Sequence, residues 1–88
     1  KVEGDSMEPS LMEGDNVLIN KNINEIGAGG GIFAINWNKM TLVKRLQMNP
    51  QTDEIIIKSD NPNYDSNVVK PNEIQVEGKV IWYGRELR

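Results

Sequence analysis

Two residues of this chain have the types and surroundings to do chemistry, and the first is the lysine in Met40-Thr41-Leu42-Val43-Lys44-Arg45-Leu46-Gln47-Met48. Side chains two apart on a strand share a face, so Lys44 lies in line with Met40, Leu42, Leu46 and Met48. Thr41, Arg45 and Gln47 lie opposite with Val43, which leaves Lys44 the one polar member of an apolar stripe. Desolvation disfavours an ammonium, and a lysine that gives up its proton near neutral pH is a general base. The same pattern also fits a lysine whose stem packs while its head snorkels to water at a sheet edge. No other lysine shares this setting: Lys79 falls on a polar face, Lys58 ends a strand, and Lys1, Lys21, Lys39 and Lys70 lie near a terminus, turns or loops.

The second residue is Ser6, in Gly4-Asp5-Ser6-Met7-Glu8-Pro9-Ser10-Leu11. A preceding glycine permits a sharp turn, and a serine ahead of a helical turn sits among unpaired backbone N–H groups able to hold an oxyanion. An ordinary helix-capping serine has the same local geometry. A serine hydroxyl is a poor nucleophile without an adjacent base, and in a chain with no histidine a desolvated lysine is the natural substitute. The pair is chemically consistent, but a separation of 38 residues (44 minus 6) does not fix whether the two side chains meet.

The elements that must position them are short strands. Asn16–Ile19, Ile32–Ile35 and Met40–Met48 read as three, the last two joined by a tight turn at Asn38-Lys39, with Gly27-Ala28-Gly29-Gly30-Gly31 as a flexible turn before the second. Asn49 to Asp53 is turn chemistry, and the β-branched run Glu54–Lys58 follows as a fourth strand. Ser59 to Asn67 reads as loop. From Glu73 to Tyr83 the chain alternates, with Ile74, Val76, Val80 and Trp82 on one face and Gln75, Glu77 and Lys79 on the other. Only Met7–Leu11 suits a short helix or 3₁₀ turn, so the class is all-β: a curled or partly closed sheet with at most one short helical turn.

Composition narrows the functions. Eighty-eight residues suffice for one core and one domain, here residues 1–88. A net charge of −3 argues against gripping a phosphate backbone, so any DNA contact must come from elsewhere. With neither Cys nor His there is no thiol nucleophile, disulfide or His-based triad, and no cofactor or metal is expected. The sequence has no apolar run long enough to span a bilayer and no apolar leader segment in Lys1–Asp15, which points to a cytoplasmic protein.

Four ordered stretches together resemble a known family. Gly4–Leu11 with Gly14-Asp15-Asn16-Val17 resembles the nucleophile motif of the LexA-like self-cleaving repressor peptidases, and Val43-Lys44-Arg45-Leu46 their lysine motif. Ser59-Asp60-Asn61-Pro62-Asn63-Tyr64 resembles the loop that follows, and Val76–Arg85 the closing strand. The resemblance implies the LexA C-terminal, signal-peptidase-like fold, with Ser6 as nucleophile, Lys44 as base, and backbone N–H groups near Asp5 and Ser6 holding the oxyanion. It further implies a homodimer, an upstream helix-turn-helix domain that binds operator DNA, and cleavage of the linker between the two, often prompted by the RecA filament. Family members usually cut an Ala-Gly bond; Ala28-Gly29 follows Ser6 in sequence and belongs to the glycine turn, so it is not read as the scissile bond. Asp15 and Asp60 are read as hydrogen-bonding residues of turns rather than catalysts.

Three other functions stay open. Type I signal peptidases share the Ser-Met-x-Pro motif and a later Lys-Arg, but the chain is short for that group and lacks an anchor. A UmuD-like mutagenesis subunit would use the same domain without a DNA-binding one. In a dimerisation-only regulatory module, Ser6 and Lys44 would be present but idle.

Overall fold

Strands dominate because apolar and β-branched residues recur at a period of two between turn signals. In the computed structural model, which describes residues 1–87, six strands form one antiparallel sheet: β1 (Asn16–Asn20), β2 (Gly31–Trp37), β3 (Met40–Met48), β4 (Ile55–Lys58), β5 (Asn67–Val69) and β6 (Ile74–Gly84). The spatial order is β1-β6-β2-β3-β4-β5, so the long closing strand inserts between β1 and β2 and the sheet stays open. The all-β expectation holds.

The β2–β3 hairpin fixes the register of Lys44. Trp37 pairs with Met40 across a two-residue turn in which Asn38 and Lys39 both have positive φ (51° and 64°), the primed geometry that matches strand twist. Phe33 then stands opposite Lys44. On its other side β3 pairs with β4, Arg45 against Lys58 and Leu46 against Ile57, so β3 is an interior strand. Ahead of β2, Gly30 has φ +67°, and a Cβ there would press into the Leu46 carbonyl oxygen; only glycine fits.

Side chains pack in two clusters. The larger gathers Phe33, Ile35, Leu46, Ile55, Ile57 and Val69, with Leu42 and Met48 against it. The smaller comes from the first segment: Val2, Met7 and Leu11 pack on Val17, Ile32 and Val43. Leu42 and Leu46 thus serve one cluster and Val43 the other, as the strand period requires. The first segment closes on itself at its neck, where Val2 N–H donates to the Asp15 carbonyl (2.9 Å) and Gly14 N–H to that of Val2 (2.8 Å).

Three details depart from the sequence reading. Met7–Leu11 forms the expected single turn, Leu11 N–H to Met7 carbonyl at 2.9 Å, but a 3₁₀ helix that the sequence reading did not place lies at Pro71–Glu73, where proline opens the turn without wasting an N–H. Asn67, read as the end of a loop, lies with Val68 and Val69 in β5, a strand too short for its alternation to register. The alternation of β6 is interrupted twice. Register shifts opposite Ala34/Ile35 and Leu18/Ile19 leave Glu77 and Ile81 as extra residues, and each bulge moves the chain's faces by one. The two shifts cancel at Trp82, which returns to the face of Ile74 and Val76 but pairs with Leu18 of β1 beyond the core and is 58% exposed.

Candidate active site

Lys44 leaves the middle of β3 half-buried, flanked by β2 and β4, so it does not snorkel at a sheet edge. Its Nζ donates to Ser59 Oγ at 2.8 Å and lies 5.7 Å from the centre of the Tyr64 ring. Burial pushes its pKa below the ordinary lysine range.

Ser6 is half-buried in the turn that Met7 and Leu11 anchor in the smaller core. Its hydroxyl caps no backbone N–H among the described residues; the turn is instead closed by Glu8 N–H on the Asp5 carbonyl (3.1 Å). The Asp5 and Ser6 backbone N–H groups donate to no other described residue, which leaves them available to an incoming oxygen. Ser6 and Lys44 line one cleft of about 680 Å³, whose walls include Val17, Ile19, Ala34, Leu42 and Val43. No hydrogen bond joins their side chains among the described residues; the lysine's partner is Ser59.

The loop after β4 ties the two halves together. Asn61 donates its backbone N–H to the Ser6 carbonyl (2.9 Å) and its side-chain amide to the Asp5 carbonyl (3.0 Å). Tyr64 OH donates to the Asp5 carboxylate, and this bond holds the phenol's pKa above its usual value. Asp60 accepts a two-pronged pair from Arg45 (2.7 and 2.9 Å) and a bond from Ser10 Oγ (2.5 Å). The Arg45 guanidinium keeps the Asp60 carboxyl below the usual carboxylate range. Asp60 is thus an ion-pair anchor, not a proton-transfer group.

At the far end, Asp15, 1% exposed, accepts Arg85 through both oxygens (2.7 and 2.8 Å) and the Met12 N–H (2.8 Å). Arg85 brings its pKa down to about 2. Sequence reasoning missed Ser59, Arg45, Ser10 and Arg85 as partners. The Ser59 signal was present: extending the Arg45–Lys58 pairing by one residue sets Ser59 beside Lys44.

An open antiparallel sheet with a serine and a desolvated lysine in one cleft defines the class, a domain with a serine-peptidase-like fold. The chain belongs to the Peptidase S24-like family, whose profile matches residues 1–81. It is similar to the "Repressor protein CI" of Enterobacteria phage phi80, 32% identical over 80 residues covering 91% of this chain and 33% of that protein. It also resembles the "26 kDa repressor protein" of Escherichia phage HK022, 36% identical over 72 residues, 82% of this chain and 29% of that protein. The chain therefore spans about a third of the length of the curated relatives it matches. The homology is to phage repressors. No helix among the described residues is long and apolar enough to cross a membrane.

Proposed function

We propose that this domain is the C-terminal part of a cytoplasmic repressor that cuts its own linker, with Ser6 as nucleophile and Lys44 as base. The observation that carries the reading is that Ser6 and the desolvated Lys44 line the same cleft in a Peptidase S24-like chain. Neutral Lys44 takes the Ser6 hydroxyl proton as Oγ bonds the scissile carbonyl carbon. The Asp5 and Ser6 N–H groups stabilise the oxyanion, and Lys44 returns the proton to the leaving amine. Water then releases the acyl group from Ser6. The cleft's apolar walls suit an extended peptide, supplied by the segment upstream of Lys1. A helix-turn-helix domain ahead of that segment would bind operator DNA, this domain would pair with a second copy, and the RecA filament would prompt cleavage. A UmuD-like protein without the DNA-binding domain would use the same chemistry.

One observation favours a second reading, a dimerisation module with an idle site: no hydrogen bond joins the Ser6 and Lys44 side chains among the described residues. Incubating the protein with its upstream residues restored, from neutral pH to about pH 10, and following intact mass decides between them. Self-cleavage at one bond before Lys1, rising with pH and abolished in Ser6→Ala and Lys44→Ala, is the expected result. An uncut chain at every pH, with activated RecA present as well, would leave the idle module.

A further inference from the structure

We propose that Ser59 is the positioning residue of the site: its hydroxyl receives one N–H of Lys44 and thereby holds the lysine head where its lone pair can take the Ser6 proton. The inference rests on the peptidase reading for its consequence and on geometry for its substance. A lysine head sits at the end of four rotatable bonds, and a base must approach the proton it abstracts to about 2.6–3.2 Å. Phe33 stands opposite Lys44 across the β2–β3 pairing, but only a directional bond fixes the nitrogen itself. The 2.8 Å bond to Ser59 Oγ is that constraint.

Ser59 is suited to the task because it is itself immobilised. It follows directly on β4, in register beside Lys44, and its successors are pinned: Asp60 to Arg45 and Ser10, Asn61 to the Ser6 carbonyl. The hydroxyl that orients the base therefore belongs to the same short loop that holds the backbone of the nucleophile. Neutral lysine has two N–H donors and one lone pair. With one donor spent on Ser59, the lone pair is free to receive the Ser6 proton, and the ammonium that results keeps its bond to Ser59.

The test uses the full-length protein with its upstream segment. Self-cleavage against pH is measured for wild type, Ser59→Ala and Ser59→Thr. Misaiming the base lowers the high-pH plateau by about 10- to 100-fold in Ser59→Ala, and the threonine hydroxyl restores most of it. A purely structural role would instead follow thermal stability and would not be rescued selectively on the plateau. In parallel, ε-¹³C-lysine labelling in a Ser6→Ala background, with the Lys44 signal assigned through Lys44→Arg, reports the lysine directly. Removing Ser59 takes an acceptor from the ammonium and shifts the Lys44 titration downward by about half a unit or more. Wild-type cleavage with an unchanged Ser59→Ala plateau would overturn the proposal. If the wild type does not cleave at all, the peptidase reading fails and the titration alone decides: an unmoved Lys44 midpoint overturns the role of Ser59, and a shifted one sustains it.

Discussion

At the residue scale, Lys44 and Asp15 carry opposite charges into sites that shift them for different reasons. Burial lowers the lysine's pKa, so between its folded and unfolded values the folded chain binds fewer protons and stability rises with pH. Lys44→Met is therefore expected to raise the urea midpoint at pH 7, with the advantage shrinking toward pH 10. The Arg85 pair lowers Asp15 to about 2, so its stabilisation is complete above the ordinary carboxylate value and is lost as pH falls from about 4 toward 2. Arg85→Met should lower the melting temperature at pH 7 by about 5 °C or more and remove that acid limb, read by calorimetry across pH 2–7. The environment of Lys44 was legible because strand period alone singles it out. Asp15–Arg85 and Asp60–Arg45 were not, since an ion pair between distant positions leaves no periodic trace.

At the element scale, the β2–β3 hairpin was readable down to its turn, because Asn38-Lys39 between two apolar runs has few other folds. Its cost is also readable: Lys39 holds a positive φ that suits glycine better. Lys39→Gly should stabilise the chain by about 1 kcal/mol, whereas Gly30→Ala, strained in φ and crowded by the Leu46 carbonyl, should destabilise it by about 1–3 kcal/mol; urea denaturation checks both. The bulges of β6 escaped the sequence because its apolar residues look regular; the break arises from pairing with β1 and β2 at once, each neighbour imposing its own register. A strand of three residues such as β5 offers too few positions for any period to show.

At the scale of the whole molecule, the outer β1–β6 side of the sheet exposes Leu18 (56%), Ile81 (50%), Trp82 (58%) and Tyr83 (50%). The Ile81 bulge lies in this end of β6, and on the proposed reading a second copy would pack on this exposed apolar surface. Trp82→Glu is expected to weaken self-association at least about 10-fold by sedimentation without altering cleavage; an association unchanged by the substitution would place the contact elsewhere.

The closed neck of the first segment bears on how load travels through the protein. Tension from anything attached ahead of Lys1 meets the Val2–Asp15 and Gly14–Val2 bonds first and passes straight into β1. The turn that carries Ser6 lies on a side branch of that route. Ser6 can keep its place in the cleft it shares with Lys44 while whatever precedes Lys1 is tugged or bent.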